Sequence, residues 1–153
     1  MKKISLALLL ILTTFEVKAE TLGAATGVEA GFGKVNRGSR SASGTSWMYH
    51  FELDVDQRIN FFGQAGQTRA RKQGTNLTQT TFAGGIGLDL IPSLDFRFGA
   101  AITDTHGKDA FGALFGSAFK IPVGAFLTGP SVTYIWTPDE ESAAIRWLLL
   151  LRL

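Results

Sequence analysis

Two histidines and no cysteine limit the nucleophilic and metal chemistry open to this chain. His50 stands two residues before Glu52, so on an extended strand both side chains leave the same face and can form an acid–base pair. The plainer alternative is a histidine whose ring nitrogens are satisfied by polar neighbours in a packed interior. His106 lies in Asp104-Thr105-His106-Gly107-Lys108-Asp109, where acid, hydroxyl and imidazole fall within one short stretch. That set suggests a nucleophilic triad, but triads are assembled in space, and residues of this kind in a loop are ordinarily solvated. No glycine-rich phosphate loop and no cluster with metal-ligand spacing is present, so neither a cofactor nor a metal is expected.

The elements that must position these residues are strands. In Ser46 to Asp56, every second residue is apolar or aromatic (Trp47, Tyr49, Phe51, Leu53, Val55), while Met48, His50, Glu52, Asp54 and Asp56 alternate with them. Successive strand side chains point to opposite faces, whereas a helix would need its apolar residues three and four apart. The pattern recurs and predicts eight strands: Ala24–Val35, Ser46–Asp56, Ile59–Ala70, Leu77–Leu90, Leu94–Asp104, Ala110–Ile121, Gly124–Thr137 and Ala143–Leu153. Each is close to or above the roughly 9–11 residues a tilted strand needs to cross a bilayer. Sharp turns are expected at Asp56-Gln57-Arg58, Ile91-Pro92-Ser93 and Pro122-Val123, and longer loops at Asn36–Thr45, Arg71–Asn76, Thr105–Asp109 and Pro138–Ser142. Short turns on one side and longer loops on the other are the layout of outer-membrane barrels. An even strand count then puts both ends of the barrel on the short-turn, periplasmic side.

Residues 1–19 have the form of a secretory signal. Lys2 and Lys3 precede the short apolar run Ile4–Leu12, and Val17-Lys18-Ala19 offers small residues for cleavage. Cleavage after Ala19 would leave a barrel over residues 20–153. It would also remove the apparent basicity: 15 − 3 = 12 Lys and Arg against 13 − 1 = 12 Asp and Glu. A formally neutral mature chain gives no reason to expect a nucleic-acid partner. Later in the chain no apolar run is long enough for a membrane helix, so any crossing must be made by a closed barrel, which has no unsatisfied sheet edge.

Alternation alone does not say which face is inside. Three features place the apolar face outward in lipid: the opposite faces are rich in Gly and Ala, as a narrow eight-stranded interior requires; the apolar faces carry no charge at central positions; and Trp47 and Trp136 fall near strand ends. The expected fold class is therefore all-β, an eight-stranded antiparallel up-and-down transmembrane β-barrel. Inside it, Glu29, His50, Glu52, Asp54, Arg97, Lys120 and Arg146 form the expected polar network, together with Asp89, Asp95 and Arg152. Acids and bases are both present, so they can pair and plug the lumen. Leu114, Leu127, Ile135, Leu148 and Leu150 are also assigned inward, as ordinary lumen packing or as a surface for an acyl chain. Around the outer loops, Lys34, Arg37, Arg40, Arg69, Arg71, Lys72 and Lys108 make a basic rim suited to lipopolysaccharide phosphates, and Asp139, Glu140 and Glu141 make the fourth loop acidic.

The signal segment, the eight alternating strands and a last strand running to Leu153 together resemble the small outer-membrane barrels of Gram-negative bacteria, the class of the OmpA transmembrane domain and OmpX. The hairpin Phe82-Ala83-Gly84-Gly85-Ile86-Gly87-Leu88-Asp89-Leu90-Ile91-Pro92-Ser93-Leu94-Asp95-Phe96-Arg97 carries the likeness best. A second, local resemblance joins Pro122, Gly129-Pro130 and the Thr/Tyr/Trp-rich strand ending at Pro138 to the last third of the lipid A palmitoyltransferase PagP. It implies a lateral gap at Gly129 and Pro130, through which an acyl chain enters an apolar lumen. That family's catalytic residues have no counterparts: Asn36–Thr45 holds Ser39, Ser41 and Ser43 but no His, and Arg71–Asn76 holds neither Asp nor Ser. The His-x-Ser-Asn motif of the lipid A deacylase PagL is also missing.

The expected function is accordingly non-enzymatic. It is that of a monomeric outer-membrane barrel for envelope integrity or surface interaction, with outer-membrane lipid and lipopolysaccharide as partners and the barrel-assembly machinery acting during insertion. A lipid A acyltransferase or deacylase is the alternative, and a narrow channel a third.

Overall fold

The computed structural model describes residues 23–56, 58–72, 75–91 and 93–153, leaving aside the side chains of Lys72 and Thr75. The expected signal, residues 1–19, lies outside the described residues, as do Gln57 and Pro92 of two expected turns. Among the described residues nine strands follow one another: β1 Ala24–Arg37, β2 Arg40–Asp54, β3 Ile59–Lys72, β4 Thr75–Ile91, β5 Leu94–Thr105, β6 Lys108–Phe119, β7 Ile121–Val123, β8 Phe126–Trp136 and β9 Glu140–Arg152. Neighbours pair antiparallel, and β1 pairs with β9 from Ala25↔Arg152 to Arg37↔Glu140, which closes the sheet. Strands β6 and β7 form one stave, because Ala118↔Ser131 and Ile121↔Thr128 continue a single register against β8 across Lys120. The fold is thus a closed antiparallel barrel of eight staves.

The faces sort as their alternation requires. Val28, Phe32, Trp47, Tyr49, Phe51, Phe82, Ile86, Phe98, Phe111, Phe115, Trp147 and Leu149 are exposed, while Glu29, His50, Glu52, Asp95, Arg97 and Arg146 are buried. This is a water-soluble protein turned inside out, and only hydrocarbon makes such an exterior favourable. In β3, where either parity holds a Gln and a Phe, the register puts Phe62 and Gln64 inside and Phe61 and Gln67 outside.

Three sequence expectations need correction. Trp47, expected near a strand end, falls in the middle of β2, because that strand begins at Arg40 and not at Ser46. The expected long loops are mostly strand. Arg37 pairs with Arg40 around Gly38-Ser39, Lys72 pairs with Thr75, and Thr105 pairs with Lys108 around His106-Gly107. Their polar residues also alternate, and a backbone ladder does not need apolar side chains to continue, so pairing runs on beyond the apolar band. The turn expected at Pro122-Val123 falls instead at Gly124-Ala125, where Gly124 takes a φ of 60° that a β-branched valine disfavours. Pro122 lies within β7 and pairs with Leu127.

His106 belongs to a turn. It has a φ of 56° and Gly107 one of 75°, the two left-handed positions of a tight hairpin, and the Gly107 N–H donates to Asp104 Oδ1 at 2.7 Å. Asn precedes Gly most readily in such turns, so His106→Asn should raise stability by part of the roughly 1–2 kcal/mol that a left-handed non-glycine residue costs. Urea titration of the barrel in lipid checks this; a lower midpoint would contradict the turn assignment. Bilayer lipids with brominated chains should quench the fluorescence of Trp147, whose side chain is exposed near the middle of β9.

Candidate functional site

The chemistry of the interior is built around Arg97. It lies on β5 two residues after Asp95, on the same inward face, and its Nε donates to Asp95 Oδ2 at 2.7 Å. Its Nη1 reaches Glu29 Oε1 of β1 at 2.7 Å, and its Nη2 reaches Glu52 Oε1 of β2 at 2.9 Å. One guanidinium therefore joins three carboxylates from three strands, which its planar fork of donors allows and a lysine could not reproduce. The face of Phe62 lies 6.0 Å from the Arg97 guanidinium carbon, covering the charge on that side.

Two further cations complete the set. Lys120 occupies the break between β6 and β7, with Nζ 2.8 Å from Glu52 Oε2, 3.2 Å from Asp95 Oδ2 and 3.8 Å from Asp89 Oδ1. Arg146 of β9 donates through Nε to Ser46 Oγ at 2.9 Å and stands 3.8 Å from Glu29 Oε2. Three buried acids, Glu29, Glu52 and Asp95, thus face three buried bases, Arg97, Lys120 and Arg146. Formal charge cancels within the plug, which is the condition for keeping so many ions away from water.

His50 is wholly buried among them. Its Nε2 lies 2.8 Å from Glu52 Oε1, its Nδ1 2.8 Å from Gln64 Nε2, and its ring stacks on Phe62 at 6.2 Å. One ring nitrogen thus faces the Glu52 carboxylate and the other the Gln64 amide. Ser131 Oγ donates to Glu29 Oε2 at 3.0 Å, and Glu29 Oε1 is 3.2 Å from His50 Nδ1. The residue types of a triad are present in the wrong order. The hydroxyl proton goes to the carboxylate, so the imidazole has none to take from serine.

Apolar residues fill the lumen around the plug. Leu148 and Leu150 pack with Ala25, Ala118 and Leu127, and Phe62 packs with Ala101, Leu114 and Ile135. The inward leucines expected from the sequence therefore pack against neighbouring side chains. Between β6 and β8 the ladder lapses opposite Gly129 and Pro130, since proline has no N–H to give. The backbones nevertheless stay in contact there: a Cβ on Gly129 would collide with the carbonyl oxygen of Phe119. The expected gap is a loss of hydrogen bonds between strands that remain packed.

Cavities open at either end. One of about 240 Å³, at the end where Gly23 and Leu153 lie, is lined by Asp54, Asp89, Lys120 and Arg152. Asp54 thus sits at the mouth of the barrel, half-buried. The other, about 640 Å³ at the far end, is lined by Arg37, Thr105, Lys108, Asp109, Asp139 and Glu140. Glu140 was expected in an acidic loop; instead it opens β9, turns inward, and accepts hydrogen bonds from Thr105 Oγ1 at 3.0 Å and from Gln79 Nε2. A run of three acids hides such a residue, because parity is legible only once the strand start is known.

The expected rim divides. Lys34, Arg69 and Arg71 are exposed on the outer wall, and Arg40 is exposed at the β1–β2 hairpin. Arg37 leans inward and donates to Thr105 O at 3.1 Å, and Lys108 faces the far cavity. The side chain of Lys72 lies outside the described residues.

A closed eight-stave barrel with an apolar exterior and an ion-paired polar interior has the fold of transmembrane β-barrels. Solved structures agree with that class. Neisserial surface protein A, NspA, superposes with a TM-score of 0.61 at 14% identity, covering 88% of this chain and 100% of that one. Ail, the attachment invasion locus protein of Yersinia pestis, superposes with a TM-score of 0.58 at 12% identity over 88% of this chain and 99% of that one. A de novo designed transmembrane β-barrel gives a TM-score of 0.50 at 12% identity, covering 91% of this chain and 100% of that one. No protein-family model and no curated protein matches the sequence.

Removing one member of the plug should be costly. Arg97→Met leaves Glu29, Glu52 and Asp95 without their shared partner and should destabilise the barrel by about 3–5 kcal/mol, measured by urea unfolding in lipid. Adding Glu29→Gln to Arg97→Met should restore part of the loss. A double variant weaker than the single one would show that charge balance is not what holds the plug.

Proposed function

We propose that this chain is a non-enzymatic barrel of the Gram-negative outer membrane that serves envelope integrity or surface contact, its far end facing outward and its basic residues holding lipopolysaccharide. One observation carries the reading: the interior cations are matched by interior acids, whereas Lys34, Arg69 and Arg71 stand on the outer wall with no ion-pair partner among the described residues. Unmatched cations at the edge of an apolar band are suited to the phosphates of a lipid surface. The buried His50, held by Glu52 and Gln64, supports a structural role for that residue. Ail, one of the structural neighbours, is described in complex with the heparin analogue sucrose octasulfate, so a barrel of this fold is compatible with a polyanionic ligand.

Changing Lys34, Arg69 and Arg71 together to Gln should weaken binding of lipopolysaccharide to the folded barrel by about tenfold or more. Sedimentation with lipopolysaccharide aggregates at low and high salt measures it, and unchanged binding would dismiss the reading. Lipid A from cells with and without the gene should show the same acyl chains by mass spectrometry. A changed acyl count would favour an enzyme.

A further inference from the structure

We propose that the outer wall of β1–β4 is a seat for a single phosphorylated lipid, with Lys34, Arg69 and Arg71 holding its phosphate and one acyl chain lying along β3. The inference rests on the lipopolysaccharide reading above and gives it a location.

The pairing register assembles the headgroup half. Lys34 pairs with Ser43 and Ser43 with Arg71, so the two cations flank a hydroxyl on three adjacent strands. One row nearer the membrane, Thr45 pairs with Arg69 and Arg69 with Thr78. Arg69 is held in place as its Nη2 donates to Gln67 Oε1 at 3.3 Å, while Gln67 Nε2 donates to Thr80 Oγ1 at 3.4 Å. Two guanidiniums, an ammonium and three hydroxyls thus share one patch of wall, a donor set matched to a phosphate monoester.

Charge around the barrel is uneven in the same sense. The outward face of β1–β4 carries no acid, whereas Asp104 and Asp109 pair on β5 and β6, and Glu141 lies on β9 opposite Asn36. An anion approaching from the membrane plane is drawn to one sector of the wall only.

The acyl half lies directly below. Following β3 from Arg69 into the apolar band, the outward residues are Gln67, Ala65 and Gly63. Tyr49 and Phe82 flank Ala65 from β2 and β4, while Phe51 flanks Gly63, whose other neighbour is Gly84. A Cβ on Gly63 would meet nothing within 4 Å. The result is a trough with aromatic sides and a small-residue floor, beginning where the cations end. A phosphate with an attached hydrocarbon chain matches both halves at once, and a free phosphate matches only the first.

Native mass spectrometry of the detergent-solubilised full barrel, titrated with bisphosphorylated lipid A, tests the proposal. Wild type should retain one lipid. Retention should fall at least tenfold for K34Q/R69Q/R71Q, for Ala65→Phe with Gly63→Leu, and for wild type given dephosphorylated lipid A. The variant R40Q/K108Q should bind as wild type does, and millimolar inorganic phosphate should not compete. The trough variant alters only lipid-facing positions, and its folding is read from the heat-dependent gel mobility of the barrel. Should it fail to fold, Ala65→Phe alone replaces it. Normal binding by the trough variant, competition by inorganic phosphate, or an equal loss in R40Q/K108Q would each overturn the seat while leaving general rim contact intact. No binding by wild type would overturn both.

Discussion

The barrel depends on one arginine bridging three carboxylates that are buried away from solvent. Glu29, Glu52 and Asp95 each come from a different strand, and their mutual repulsion would prise the narrow lumen open if Arg97 were not between them. Eight staves leave an interior just wide enough for side chains, so these ions are neutralised by one another or not at all. Lys120 and Arg146 bring the balance to zero, and His50 and Gln64 hold the same Glu52 and Glu29 oxygens that Arg97 contacts.

That constraint explains other features of the chain. Lys120 enters the plug from the point where β6 gives way to β7, opposite Gly129 and next to the proline that cannot complete the ladder. A break that looks like a weakness in the wall lies where a lysine must reach the acids. The leucines of β9 close over the same network from the other side, so the lumen is half ionic and half apolar with little space between. Such an interior is suited to rigidity.

The alternation around Trp47 and His50 made strand type and face legible from the residues alone, since period two has no helical reading. The identity of the lumen ions followed from parity. Loop lengths did not follow, because polar residues at Asn36–Thr45 are as compatible with a continuing ladder as with a loop, and composition does not register backbone pairing. Glu140 was hidden for the same reason, and the site of the last hairpin turn rested on whether proline or glycine would bend the chain.

Strands with two unlike faces follow from residue order alone, because side-chain direction along an extended backbone depends on nothing beyond position. Which charges meet is set by how the strands are brought together. Arg97 and Glu29 are separated by 68 residues, and their contact depends on the register of every ladder between them and on the closure of β1 against β9. A slip of one residue in any of those ladders would send a whole strand's ions into lipid.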